Sequence, residues 1–136
     1  MARLILDTGI LIDAARQRLP AGAIGDDDDV AVPAVVITEY QVGLLLDPNP
    51  ARRAAHGAFL AELLAVTPVV EYSTNVVEHH AELLAHLRRS GQARGAHDLI
   101  IAATARATGR ILVTTDGRAR FDDLPEVEVR LLQRSW

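Results

Sequence analysis

MARLILDTGILID, residues 1–13, passes from an apolar strand-like run into a carboxylate and straight back into apolar residues. Leu4, Ile5 and Leu6 precede Asp7, Thr8 and Gly9, and the apolar pattern resumes at Ile10. An unpaired carboxylate at a core position costs several kcal/mol or changes its protonation state. Asp7 therefore needs a compensating partner, and the rest of the chain can be searched for one.

Short apolar runs alternate with longer segments of helical period along the whole sequence. Strands are expected at Leu4–Leu6, Val30–Val32, Val69–Tyr72, Ile111–Val113 and Val127–Leu132. Helices are expected over Gly9–Arg16, Ala34–Leu46 (stopped by Pro48-Asn49-Pro50), Ala51–Ala65, and His97–Thr108 (stopped by Gly109). A further helix, opened by an Asn75/Glu78 capping box, runs to Gly91. This order predicts one α/β domain over residues 1–136, with a parallel sheet and helices on both of its faces. Ligands of such sheets bind beyond the carboxyl ends of the strands. Asp7 stands at that edge after the first strand, and Asp116 stands there after ILVTT.

Two more acids occupy unexpected places. In AVVITEYQVGLLL the expected buried stripe is Val35, Val42 and Leu46, and Glu39 falls on it between Val36 and Val42. HDLIIAATARATG is apolar almost all round, which predicts a helix buried against the sheet, with Asp98 in its first turn. Asp98 also suits an N-cap, and Asp116-Gly117 suits a turn. Four carboxylates gathered at one edge would raise one another's pKa values unless a cation neutralises them. Oxygen-only ligands select a hard ion such as Mg²⁺ or Mn²⁺, which recruits phosphate oxygens and serves phosphodiester hydrolysis.

Composition narrows the alternatives. At 136 residues the chain has the size of one domain, and without cysteine it can build neither a disulfide framework nor a thiolate zinc site. It has no apolar run of about 18 residues and no signal-type start, so a cytoplasmic protein without membrane contact is expected. The net charge of −4 lacks the usual footprint of a nucleic-acid binder, yet all 14 basic residues are arginine, whose planar fork matches phosphate. Arg88, Arg89, Arg94, Arg118 and Arg120 lie in sequence near the acids and are candidates for contact with a phosphate backbone, that of RNA if the resemblance described below holds. The run Asp26–Asp29 reads as a solvated loop without ligand geometry, and His79 and His86 share a helix face at a spacing that matches no common zinc motif. His97 adjoins Asp98 and is in reach of a substrate bound there.

LILDTGILID, VVITEYQVGLL, HDLIIAATA and ILVTTDGRARF followed by LPEVEV resemble, in order and over nearly the full chain, the PIN-domain ribonucleases, in particular VapC-type toxins of toxin–antitoxin systems. The resemblance implies a PIN-like fold, a mostly parallel five-stranded sheet flanked by helices on both faces, and a Mg²⁺-dependent endoribonuclease with Asp7, Glu39, Asp98 and Asp116 as its acidic site. In that mechanism a metal-activated water attacks the scissile phosphorus in line. Asp7, Asp98 and Asp116 are expected to contact the metal directly or through water, Glu39 to orient the water or hold a second ion, and Thr8 and Thr115 to support the site by hydrogen bonds. It further implies a homodimer and an antitoxin that blocks the cleft, where an arginine or lysine would suit the acids. Members often carry an acid just before the phenylalanine of the last motif. Here Arg118 and Arg120 stand there and Asp122 and Asp123 follow Phe121, which leaves a second metal position open.

Other classes fit less well. Asp7-Thr8-Gly9 is also an aspartic-protease signature, but those enzymes are all-β. A phosphoaspartate receiver would need a late lysine, which this chain lacks. A catalytically inactive PIN-type module binding RNA or protein is the remaining alternative, and retention of all four acids speaks against it.

Overall fold

The computed structural model describes residues 1–133. Its elements in chain order are β1 (Arg3–Leu6), α1 (Thr8–Ala15), β2 (Asp29–Pro33), α2 (Ala34–Leu46), α3 (Pro50–Val66), β3 (Val69–Val70), α4 (Thr74–Arg89), α5 (Ala96–Thr108), β4 (Ile111–Thr114) and β5 (Val129–Leu131). Two 3₁₀ turns, Gly117–Ala119 and Phe121–Asp123, join β4 to β5. The five strands form one sheet in the order β3-β2-β1-β4-β5. Every pairing is parallel.

Strands buried on both sides read as continuous apolar runs. Leu4, Ile5, Leu112 and Val113 are accordingly fully enclosed. From β1 the chain travels outward through β2 to β3, then returns across the sheet to β4 and on to β5. Right-handed crossovers assign opposite faces of the sheet to these outward and returning connections. The connections leaving β1 and β4 diverge, so the carboxyl ends of these two neighbours form the switch point where a crevice opens. Backbone pairing extends to that rim, because the Asp7 N–H donates to the Val113 carbonyl at 3.2 Å.

The helix returning along the sheet is α5, and its buried face includes Leu99, Ile101 and the small residues Ala102, Ala103 and Ala105. Small side chains let α4 pack close against it. Helix α4 contributes Val76, Leu83 and Leu87, spaced at roughly two turns and then one. No helix among the described residues is long and apolar enough to cross a membrane.

Several local expectations need correction. The helix after β3 is capped by Ser73, whose hydroxyl accepts from the Val76 N–H at 3.5 Å. Asn75 lies inside the first turn and donates its amide to the Ala107 carbonyl at 3.1 Å, tying α4 to α5 instead of capping. On α2 the buried residues are Val36 and Tyr40. Val42 and Leu46, expected inside, are 47% and 76% exposed. A helix that is apolar on every side carries little phase information, so tertiary packing decided which face went in. Part of the acidic run is also structured. Asp28 accepts from the Ala2 and Gly25 N–H groups at 2.9 and 2.7 Å, which holds its carboxyl below the usual range. Asp29 pairs with Arg110 at 3.1 Å.

Candidate active site

Asp7, Glu39, Asp98 and Asp116 line one open cleft of about 390 Å³ beyond the carboxyl ends of β1 and β4, together with Thr8, Gly9, Ile101 and Thr115. Each acid arrives by a different local device. Asp7 ends β1 and caps α1, its Oδ1 accepting from the Ile10 N–H at 3.1 Å. Glu39 sits one residue before buried Tyr40 on α2, at the border between packed and open helix surface. Asp98 is the third residue of α5, whose N-cap is Gly95 and not the acid itself. A methyl group on Gly95 would approach Asp98 Oδ2 to 3.3 Å, so the glycine leaves room for the carboxylate. Asp116 caps the first 3₁₀ turn, with Oδ1 accepting from the Arg118 and Ala119 N–H groups at 3.0 and 3.2 Å. The turn and cleft readings of Asp116 are therefore compatible, since one oxygen holds the turn while the side chain lines the cleft.

Hydrogen bonds fix two of the carboxylates further. Thr8 donates to Glu39 Oε1 at 2.9 Å, and His97 Nδ1 stands 3.6 Å from Glu39 Oε2. Thr8 and His97 both meet the cleft at Glu39. Thr115 lines the cleft. The hydroxyl that grips Asp7, however, belongs to Thr114, which sequence reasoning passed over. Thr114 donates to Asp7 Oδ2 and accepts from the Asp116 N–H at 3.0 Å, linking two acids through one buried oxygen. The signal was present in the strand pairing. Leu6 pairs with Val113, so the next step along both parallel strands sets Asp7 beside Thr114.

Burial, and second to it the crowding of like charges, sets the electrostatics of the cleft. The Asp7 carboxyl is pushed from 3.8 up to about 6, chiefly by burial, with Asp116 and Asp98 adding repulsion against the lowering effect of Thr114 and the Ile10 N–H. Asp98 is also raised, first by burial and then by Asp116 and Glu39, while His97 and Arg94 act the other way. Replacing Thr114 by valine removes the hydroxyl that lowers Asp7. The expected result is an acid limb of the pH–activity profile displaced to higher pH, with about 1–2 kcal/mol less stability in urea unfolding.

The arginines divide by location. Arg94 is only 8% exposed and donates to the Ala119 and Arg120 carbonyls at 2.7 and 2.8 Å. It also stands 3.9 Å from Asp123. Its work is to hold the β4–β5 turns, where Arg120 adopts the left-handed φ of 48°. Arg94 is therefore a structural strut and not a candidate for an RNA backbone. Arg94→Ala should cost about 2 kcal/mol in urea unfolding, because it strands two carbonyls. Arg118 and Arg120 are exposed beside Asp116, with Arg120 Nε 3.7 Å from Asp123. Asp123 is thus engaged by arginines, and neither it nor Asp122 lines the acidic cleft. Arg88 and Arg89 are exposed at the end of α4, and Arg89 lines a separate groove with Glu82, His86 and Arg106. His80 accepts or donates a 2.8 Å hydrogen bond with the Tyr72 hydroxyl.

A hard divalent cation suits this donor set, which offers carboxylate oxygens and no sulfur. Burial first, and repulsion between neighbouring acids second, raise the Asp7 and Asp98 carboxyls, and a bound cation would offset both effects. Among the described residues no three His, Asp or Glu side chains close on one point as a ready-made ligand set. The acids suit an ion that shares its shell with water and substrate oxygens, as Mg²⁺ commonly does.

A parallel sheet with acids gathered at its switch point defines the class. The PIN domain family matches residues 4–127, and the chain belongs to that family. Among its relatives, Ribonuclease VapC of Rickettsia bellii is 26% identical over 126 residues, covering 93% of each chain. Ribonuclease VapC2 of Haemophilus influenzae is 26% identical over 122 residues, covering 87% of this chain and 89% of the relative. Of the solved structures, VapBC-5 from Mycobacterium tuberculosis, a member of the VapBC family of toxin–antitoxin systems, is 28% identical with a TM-score of 0.77, covering 97% of this chain and 100% of that one. VapBC2 from Rickettsia felis, solved with a DNA fragment from its promoter, reaches a TM-score of 0.82 at 22% identity over 96% of this chain and 99% of that one, a likeness of fold. The PIN-type resemblance seen in the sequence is borne out.

Proposed function

We propose that this protein is a Mg²⁺-dependent endoribonuclease and the toxin of a type II toxin–antitoxin pair. The observation that carries the reading is the convergence of Asp7, Glu39, Asp98 and Asp116 on one cleft at the sheet's switch point. Ribonuclease names among its relatives, and toxin–antitoxin complexes among its structural neighbours, support it. Asp7, Asp98 and Asp116 would hold the ion, directly or through water. When bound, Mg²⁺ (or Mn²⁺) neutralises phosphate charge and lowers the pKa of water.

The protein's own groups supply the rest. Glu39, held by Thr8 and beside His97, would orient the attacking water and take its proton. Water adds to phosphorus opposite the leaving 3′-oxygen, which departs and acquires a proton. Thr114 keeps Asp7 turned into the cleft while the Asp116 backbone is held by the same hydroxyl. A cytoplasmic location, a homodimer and an antitoxin whose basic side chain enters the acidic cleft complete the proposal.

The test is incubation of purified, antitoxin-free protein with total RNA in Mg²⁺ and in EDTA. Cleavage with Mg²⁺ that stops in EDTA is the expected result. Equal cleavage in both would remove the acidic site from the mechanism.

A further inference from the structure

The acidic cleft continues past Glu39. A recess of about 120 Å³ on the far side of that residue is lined by Ile12, Arg16, Tyr40, Gly43, Leu44 and His56, among others. It opens onto a wider shelf of about 670 Å³ that shares Arg16, Gly43 and His56 and adds Arg18 and Arg52. Glu39 borders both cleft and recess, so the three form one trough along α2. We propose that this trough carries the single-stranded RNA flanking the scissile phosphate, seating one nucleotide against Tyr40 and Leu44 and the next phosphate on Arg16. The inference rests on the nuclease reading above and adds the path of the substrate.

Three features of the trough point to a polyanion with apolar bases. First, its charge changes sign along its length, from carboxylates at one end to Arg16, Arg18 and Arg52 at the other, where Asp47 is the one lining carboxylate. Carboxylates alone repel a phosphate chain, whereas a basic rim one step away holds it against them. Arg52 is occupied, with Nε and Nη2 at 2.6 and 2.7 Å from the two Asp47 oxygens. Arg16 is exposed at the end of α1, and among the described residues its guanidinium makes no hydrogen bond or ion pair. That leaves it open to a phosphate.

Second, the wall is preset. Tyr40 is buried, its hydroxyl donates to the His56 carbonyl at 3.2 Å, and its ring leans on Phe59 with centroids 6.2 Å apart. Third, Gly43 stands inside α2 where packing does not ask for a glycine. A methyl group there would meet no atom within 4 Å, although glycine is among the poorest helix formers. Gly43 lines both recess and shelf, and its missing side chain is what keeps them continuous.

The test uses full-length protein and a labelled, random-sequence single-stranded 12-mer RNA carrying 4-thiouridine. Arg16→Gln is expected to weaken binding about tenfold and to flatten the slope of log affinity against log salt by about 0.7, the share of one single-strand phosphate. Gly43→Leu is expected to weaken binding and cleavage without lowering the melting temperature, since leucine favours the helix. Photo-crosslinks from the wild type should fall within residues 39–56. Crosslinks confined to residues 117–122, or variants that bind and cut as the wild type does, would overturn the path while leaving the nuclease intact. Variants that cut RNA normally but lose a protein partner would overturn it too, assigning the shelf to that partner. Wild type that neither binds nor cuts RNA would overturn the nuclease reading and this inference with it.

Discussion

Asp98→Asn is expected to lower RNA cleavage by at least about 10²–10³-fold, the scale of losing one charge-stabilising group from a catalytic site, with an unchanged circular dichroism spectrum. The substitution keeps shape and removes one negative charge. Helix α5 should tolerate it, because Gly95 and not Asp98 is its N-cap and no side-chain capping bond is lost. What changes is the cleft, where Asp98 faces Asp116 and Glu39 closely enough for both to raise its carboxyl. A folded variant that cuts RNA at the wild-type rate would exclude Asp98 from the chemistry.

Asp7→Asn is expected to abolish cleavage and yet stabilise the metal-free protein. Asp7 is 6% exposed, and its carboxyl is raised from 3.8 to about 6 in the folded state. That difference amounts to about 3 kcal/mol of destabilisation once the group is ionised. The sign follows from proton binding. Between about pH 4 and pH 6 the folded protein holds the proton more tightly than the unfolded chain, so wild-type stability in EDTA falls as pH rises through that window and levels off above it. Asparagine keeps an oxygen for the Ile10 N–H and carries no charge to bury. In EDTA at pH 7 its melting temperature should rise by on the order of 10 °C, and the pH 4–6 decline should flatten. Mg²⁺ should raise the wild-type melting temperature more than that of the variant. A variant that melts below the wild type in EDTA would contradict this account of Asp7.

The sheet was legible in the sequence because buried parallel strands leave uninterrupted apolar runs, and the acids after Leu6 and Thr115 broke that pattern at the same edge. Asp98 and Glu39 were legible as carboxylates on helices that otherwise bury apolar surface. The facing of α2 was not, since AVVITEYQVGLLL is apolar at nearly every phase and only packing could choose Val36 and Tyr40 over Val42 and Leu46. Thr114 and Thr115 are chemically identical neighbours, and only the pairing register across β1 and β4 assigns the Asp7 bond to the first. Arg94 looked like any arginine near the site. Its burial under the β4–β5 turns depends on contacts 25 and 26 residues away, which local pattern does not carry. Ser73 and Asn75 are both good caps, and the strand's end two residues earlier than expected moved the helix start to the serine's side.

The most direct test is the chemistry of the new RNA ends. Attack by water with departure of the 3′-oxygen leaves a 5′-phosphate and a 3′-hydroxyl, whereas attack by the neighbouring 2′-hydroxyl leaves a 2′,3′-cyclic phosphate and a 5′-hydroxyl. Cleavage of labelled RNA in Mg²⁺, followed by mass analysis of the termini, is predicted to yield only 5′-phosphate and 3′-hydroxyl ends, and at least about 10²-fold fewer of them with Asp98→Asn. Cyclic phosphate ends, or ends that persist in EDTA, would contradict a site built from Asp7, Glu39, Asp98 and Asp116.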